Sequence, residues 1–452
     1  MPLMMNQIIP NGTKLKTLAG EDVTVLGVIS TSGGQGDVYR VAWKNGEYAL
    51  KWYNKNAADV VGSEQYHTIL KLTKKPNPAP EMFIWPQAMV TETGADGGNG
   101  KKLFGYTMNL LPDDHYEMGD FLRADGDSKQ KKFSSFHAMI WAGLNIVSAV
   151  RKLHLKGMSY KDLNPGNAAI QPSTGHVWMM DCDNISVEGE PCTVNGMRGY
   201  MAPEIVRSGF QVTPNIQTDQ FSLAVVLFRL FYMDHPMEGK IWEKFPVIND
   251  AAEDELYCIH PIYNMSSRDN RNRPNETYAP NVMRRMAMLP GVLMEGFENT
   301  FVNGIENING RTPENRWLQI LSQARDQLVF LDSQGKDDRV VRFDRKETIP
   351  RGCLRLTVNK GSHEIALYPL QSIFKDVVSG NREEYAQRIG RVASSKGRLV
   401  MQNLSGQTWK VYDPVTKKVA DVADSAWFWI LPGTQIQFDP VHKVVGKVDQ
   451  PI

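Results

Sequence analysis

Cysteine is scarce, with four in 452 residues (Cys182, Cys192, Cys258 and Cys353), and no two of them form a CxxC pair. That excludes a disulfide-stapled scaffold and a cysteine zinc site, and it fits a reducing cytoplasm. An excess of charge of one sign is also missing: 51 Lys+Arg stand against 50 Asp+Glu, for a formal charge of +1. No overall basic field exists to hold a nucleic-acid backbone or an acidic lipid surface. Long apolar runs are absent too. The longest, Phe221 to Met233, has 13 residues and includes Arg229, where a bilayer needs about 20. It reads as a buried helix. Met1 to Lys16 lacks the charged-then-apolar pattern of a secretory signal. These absences predict a cytoplasmic chain whose partners are neither nucleic acid nor membrane. With 42% hydrophobic and 22% charged residues, the chain is not a disordered one.

Between Val23 and Tyr53 the apolar residues are β-branched and aromatic, broken by Gly33, Gly34 and Gly36 and by Asn45-Gly46. Asn-Gly between two such runs predicts a tight hairpin, because both residues tolerate positive φ. From Ser134 to Leu155 the residues Phe136, Ile140, Leu144, Val147 and Val150 recur at three or four positions and stop before Gly157, as in an amphipathic helix. Beyond about Leu331, short β-rich runs take over at Val340–Phe343, Leu354–Val358 and Trp427–Leu431, which suggests a separate all-β module. The boundary is expected in Asp332 to Asp338. Ala95 to Gly100 reads as a flexible hairpin loop.

Two segments carry chemistry. Gly33-Gly34-Gln35-Gly36 lies between two expected strands, and Lys51 follows on the next strand, 15 residues beyond the last glycine. Backbone amides at such glycines can approach phosphates, and the lysine can reach the same oxygens. By itself a glycine-rich hairpin is often only a turn. The second segment is Tyr160-Lys161-Asp162-Leu163-Asn164-Pro165-Gly166-Asn167, followed by Asp181 after an expected strand at His176 to Met180. One carboxylate can accept the proton of a substrate hydroxyl. An amide oxygen and a second carboxylate supply hard oxygen ligands for magnesium on nucleotide phosphates.

Taken in order, these segments resemble the eukaryotic-like protein kinase superfamily over roughly Val23 to Leu328. The resemblance implies a bilobal protein-kinase fold, with a strand-rich lobe at 15–110 and a helical lobe at 111–328; with the all-β module read from the later strand runs at 339–452, the expected fold class is α+β with a C-terminal all-β module. It assigns Lys51 to gripping the phosphates, Glu64 to pairing with that lysine from a helix, and Asp162 to the catalytic base. Asn167 and Asp181 would be the metal ligands. Gly33, Gly34, Gly36, Val38, Ala49, Met108 and Leu110 would border the nucleotide. The implied cofactors are ATP and Mg2+, the implied substrate a protein Ser or Thr hydroxyl, with autophosphorylation. Ala202-Pro203-Glu204, Asp219 and Arg311 match the end of the activation segment, the buried anchor of the catalytic loop, and the late arginine that pairs with Glu204. Those three belong to protein kinases rather than to small-molecule kinases.

The pattern has departures. Thr31 replaces the first loop glycine, Cys182 and Asp183 replace the phenylalanine and glycine after the metal aspartate, and Asn164 replaces a lysine. Without that lysine a cation is missing near the transferring phosphate. A nucleotide-binding pseudokinase scaffold and a small-molecule kinase therefore stay open. Lys161, in place of arginine, cannot offer a bidentate fork to an activation-loop phosphate. Cys182 reads as a small core residue. Ser186 and Thr193 are candidate phosphorylation sites. The tryptophans and Asn403 to Trp409 of the last module are either core or a recognition surface. Finally, His235 to Gly239, Arg271 to Pro274, Phe301 to Gly304 and Asn403 to Trp409 resemble bacterial kinases of the tellurite-resistance-linked phosphorylation triad. That resemblance implies a von Willebrand factor A-domain protein and a metal-dependent protein phosphatase as partners.

Overall fold

The computed structural model describes residues 3–93, 102–190, 196–439 and 443–450. The expected loop at Ala95 to Gly100, Cys192 and Thr193 lie outside the described residues. The first lobe opens with β1 (Lys14–Thr17), β2 (Asp22–Ser30), β3 (Gly36–Trp43) and β4 (Gly46–Tyr53), followed by α1 (Glu64–Thr73), β5 (Ala88–Thr91) and β6 (Phe104–Met108). The six strands close as an antiparallel barrel in the order β1-β2-β3-β4-β6-β5. Alternation on β3 turns Tyr39, Val41 and Trp43 into a core shared with Leu50 and Trp52 of β4. The β3–β4 turn is tight, as expected, but shifted by one residue: Trp43 pairs with Gly46, and the two loop residues are Lys44 (φ +48°) and Asn45 (φ +60°). A slip to centre the turn on Asn45-Gly46 would flip those buried side chains outward.

The second lobe runs β7 (Tyr116–Glu117), α2 (Met118–Phe121), α3 (Phe136–His154), β8 (Met158–Ser159), β9 (Ala168–Ile170), β10 (Val177–Met179), β11 (Ser186–Val187), α4 (Pro203–Arg207) and α5 (Ile216–Tyr232). It continues with α6 (Asp250–Asp254), α7 (Pro280–Arg285), α8 (Leu293–Glu298) and α9 (Glu314–Asp326). The apolar run noted in the sequence is α5, whose residues from Phe221 to Phe228 are all buried in the largest core of the chain. Asn215 and Thr218 start it with a reciprocal capping box. Among the described residues no helix is long and apolar enough to cross a membrane.

The remaining strands are β12 (Leu328–Phe330), β13 (Asp338–Val340), β14 (Leu354–Val358), β15 (His363–Leu367) and β16 (Ser372–Phe374), then α10 (Lys375–Ser379). After it come β17 (Arg388–Ser395), β18 (Arg398–Asn403), β19 (Trp409–Asp413), β20 (Lys418–Val422), β21 (Trp427–Trp429), β22 (Gln435–Asp439) and β23 (Val444–Asp449). A six-stranded sheet, β15-β14-β23-β22-β19-β20, and a four-stranded one, β16-β17-β18-β21, share one apolar core around Trp409. The stretch from Asp332 to Asp338 is the tip of the β12–β13 hairpin rather than a free tether. Asp338 at its end accepts hydrogen bonds from the Phe136 and His137 amides at 3.0 and 2.6 Å, capping α3 of the helical lobe.

Candidate active site

Strand alternation places the first functional group. Leu50 and Trp52 of β4 fill the barrel core, so Lys51 and Tyr53 point to the opposite face, toward the second lobe. Two glycines let neighbouring backbones close on this strand. A Cβ on Gly36 would lie 2.0 Å from the Trp52 carbonyl oxygen, and one on Gly105 would lie 2.4 Å from that of Lys51. Gly36 is thus explained by close packing, and Gly105 was not legible from the sequence. Gly33 is held through its carbonyl by Lys55 Nζ at 2.9 Å, while a Cβ on exposed Gly34 would meet nothing within 4 Å. Val38, Met108 and Leu110 are half-buried and Ala49 is buried; Ala49 and Met108 are register partners on β4 and β6.

The loop from Tyr160 to Asn167 is assembled from below. Asp219 of α5 accepts from the amides of Tyr160 (2.5 Å) and Lys161 (2.9 Å), and holds Lys161 at φ +71°. A non-glycine residue in that region costs about 1–2 kcal/mol, so the anchor must outweigh it. Asn164 donates to the Asp162 carboxylate at 3.0 Å, and its own Oδ1 accepts from Gly166 N at 2.9 Å. The amide of Asn164 is therefore spent on orienting Asp162. Asn167 donates to the Asp162 carbonyl at 2.8 Å, and Asn167 O accepts from Met180 N at 2.8 Å, which ties the loop to the segment that leaves β10 for Asp181. Asp181 itself is left-handed (φ +50°, ψ +47°) and carries its carboxylate to within 3.0 Å of Lys51 Nζ.

The structure thus brings Lys51, Asp162, Asn167 and Asp181 to one cleft and leaves Glu64 out. Ser63 caps α1, so Glu64 is its first residue and faces solvent, where its charge favours the helix start. The inward face of α1 is Gln65, Tyr66, Ile69 and Leu72. The expected Lys51–Glu64 pair is therefore corrected: Lys51 is paired with Asp181 and, at 2.7 Å, with Asp183. Burial pushes the Lys51 ammonium down, but Asp183 and Asp181 together push it up, above its ordinary value. Desolvation raises the Asp162 carboxyl, opposed by the hydrogen bond from Asn164. Burial likewise raises the Cys182 thiol, which stays protonated and inert in the core. Ser186 is buried on β11, paired with Ser159, and does not present its hydroxyl for modification.

Around this cleft, Arg311 forms two parallel bonds to Glu204, of 2.8 and 2.7 Å, with its side chain wholly buried. His235 donates from Nε2 to the Gly199 carbonyl at 2.7 Å and accepts from Met237 N; burial lowers it to about 3, so it is neutral. Asn272 donates to the Met237 and Ile262 carbonyls at 2.8 and 2.6 Å. These motifs brace the second lobe. Sequence reasoning missed Asp183, Tyr53, Gln65 and His154. Only Asp183 left a signal, an acid where the pattern holds glycine.

The family model described as the protein kinase domain matches residues 29–286. The chain belongs to the protein kinase family. It is similar to a "cAMP-dependent protein kinase, catalytic subunit-like" protein of Caenorhabditis elegans, 27% identical over 155 residues, which are 34% of this chain and 35% of that one. It is also similar to the serine/threonine-protein kinase AtPK1/AtPK6 of Arabidopsis thaliana, 35% identical over 105 residues, 22% of each chain. This kinase-family chain thus spans about a third or less of the curated relatives it matches. Among solved structures it is similar to the PK-1 kinase of Cydia pomonella granulovirus, with a TM-score of 0.42 and 15% identity, covering 66% of this chain and 94% of that one.

Proposed function

We propose that this kinase-family chain transfers the γ-phosphoryl group of ATP to serine or threonine hydroxyls of a protein substrate. The observation that carries the reading is the continuous path Lys51–Asp181, Met180–Asn167, Asn167–Asp162, each link a bond of 3.0 Å or less, across the face between the lobes. Lys51 would neutralise phosphate oxygens, held in place before substrate arrives by its two carboxylates. Asp162, oriented by Asn164 and Asn167, would align the attacking hydroxyl and take its proton. The loop from Gly33 to Gly36 would cover the phosphates, and Val38, Ala49, Met108 and Leu110 would border the base.

The donor set suits magnesium. Asn167 gives its amide nitrogen to Asp162 and keeps Oδ1 as a ligand, and the Asp181 side chain is 45% exposed in the cleft. A magnesium ion bound by this pair would offset the charge of the phosphate oxygens. Protein rather than small-molecule substrates are favoured by the Glu204–Arg311 pair, which builds the lobe on which a peptide would lie. The runs that resemble kinases of the tellurite-resistance-linked triad, His235 to Gly239, Arg271 to Pro274, Phe301 to Gly304 and Asn403 to Trp409, are what support a von Willebrand factor A-domain protein and a metal-dependent phosphatase as partners.

The test is transfer of labelled γ-phosphate from Mg·ATP by the purified chain, beside Asp162→Ala and Asp181→Asn, with nucleotide binding measured on all three. Label on protein that vanishes in both variants is the expected result. Asn164, whose amide is committed to Asp162, favours the second reading, a nucleotide-braced scaffold. Tight Mg·ATP binding without transfer to any generic acceptor would select it.

A further inference from the structure

Lys51 sits between two carboxylates that are not equivalent. Asp181 has 45% of its side chain exposed, whereas Asp183 has none. A carboxylate at zero exposure is retained only when paired, because its desolvation is otherwise unrepaid. Asp183 Oδ2 makes the 2.7 Å ion pair with Lys51 and accepts a short hydrogen bond from the Tyr53 hydroxyl. Gln65, the first inward residue of α1, donates to the Asp183 carbonyl at 3.1 Å and to the Tyr53 oxygen at 3.3 Å. The helix thus contributes a neutral amide to this cluster, and the acid comes from the segment after Asp181. Lys51, Tyr53, Gln65 and Asp183 form one linked cluster built from β4, α1 and the start of the activation segment, and Lys51 extends it to Asp181 at 3.0 Å and to the Gln35 side-chain oxygen at 3.3 Å.

We propose that Asp183 is the fixed counter-ion that positions Lys51, in place of an acid on α1, with Tyr53 bonding its carboxylate and Gln65 holding its backbone carbonyl and the Tyr53 hydroxyl. The inference rests on the reading of Lys51 as the phosphate-gripping group. Its consequence is mechanical. The lysine is set by the same short loop that carries Asp181, so both groups that would meet the phosphates move as one unit. A displacement of α1 would cost the Gln65 bonds and leave the ion pair standing.

The experiment compares Asp183→Asn, Tyr53→Phe and Glu64→Gln in the full chain, each checked by thermal melting, for KM(ATP) and kcat toward a generic protein acceptor. Lys51→Ala and Asp162→Asn are included as controls on the underlying reading. Asp183→Asn removes the charge opposite Lys51 and should raise KM(ATP) or lower kcat/KM about tenfold or more while still folding. Tyr53→Phe should show a smaller rise in the same parameter, and Glu64→Gln none. Wild-type KM and kcat in Asp183→Asn, or a Glu64→Gln defect as large, would overturn the proposal. Should Asp183→Asn fail to fold, an unchanged KM in Tyr53→Phe would overturn it. If the wild-type chain binds ATP without transfer, the same comparison is read in ATP affinity. Controls that leave transfer intact would instead overturn the reading of Lys51 and Asp162, a result distinguishable from failure of Asp183 alone.

Discussion

Arg325 of α9 lies 3.4 Å from Asp376 of α10, and neither side chain has any exposed surface. The pair joins the helical lobe to the β module. Arg325 also binds Asp326 at 2.7 Å and the Tyr385 carbonyl at 2.6 Å, and it stacks 3.8 Å over the Phe374 ring. His363 of the module reaches Asp326 at 2.7 Å, and Ser322 reaches Asp376 at 2.7 Å. Ionic groups this deep are stable only as a complete set.

Removal of the module should therefore damage the kinase lobes. A chain ending at Asp332 would leave Arg325 and Asp326 without Asp376 and His363, and α3 without its Asp338 cap. Arg325→Met should cost about 3–5 kcal/mol, the usual cost of stranding buried carboxylates. Urea denaturation of the full chain, Arg325→Met and the truncated chain checks this. Equal midpoints would show the module to be an independent appendage.

His154 supplies a pH dependence. It bridges Asp219 at 3.0 Å and Glu314 at 2.8 Å from α3. Burial lowers its pKa, but the bonds to those two carboxylates outweigh that and raise it to about 9. The unfolded value is near 6.5. Because the folded pKa is the higher one, the stabilisation is complete below about 6.5 and is lost as pH rises through about 9. At most it amounts to about 3 kcal/mol. Denaturation between pH 6 and 10 should show that decline, and His154→Gln should flatten it.

Arg311→Lys keeps the charge and loses the fork. Arg311 serves Glu204 twice and also the Gly304 and Gln217 carbonyls, at 3.1 and 2.8 Å. A lysine cannot reproduce that geometry, so a loss of about 2–3 kcal/mol is expected, with Glu204 partly exposed. Calorimetric melting of the two chains decides it. A shift of less than a degree would mean that the pair contributes nothing measurable.

Asn164→Ala should move the acid limb of the transfer profile. The Asn164 amide lowers the Asp162 carboxyl by bonding its charged form. Without it the carboxyl protonates at a higher pH, so activity should fall away earlier on acidification. Transfer rates from pH 5 to 8 for both chains test this, and superimposable acid limbs would contradict it.

Several features were legible because they depend on short spacing. The turn after β3, the helix from Phe136 to His154 and the order of Lys51, Asp162, Asn167 and Asp181 all follow from local periodicity or fixed intervals. Trp409 and Asn403 show where that legibility ends. The run containing them left core and surface both open. Trp409 is buried at the centre of the module, with Asn403 donating to the Gln407 and Val422 carbonyls, while Trp427 and Trp429 are 44% and 48% exposed.

The sequence alone determined which residue types were available for phosphate chemistry and in what order, since motif spacing is a property of the chain. Partnership was decided by tertiary structure. Glu64 and Gln65 are adjacent and of similar shape, but neighbours on a helix point about 100° apart, and the packing of α1 turns the charged one to solvent and the neutral one to the cleft. Asp183 becomes the partner of Lys51 across 132 positions of chain because the two lobes bury both, and a low-dielectric interior makes that pairing obligatory.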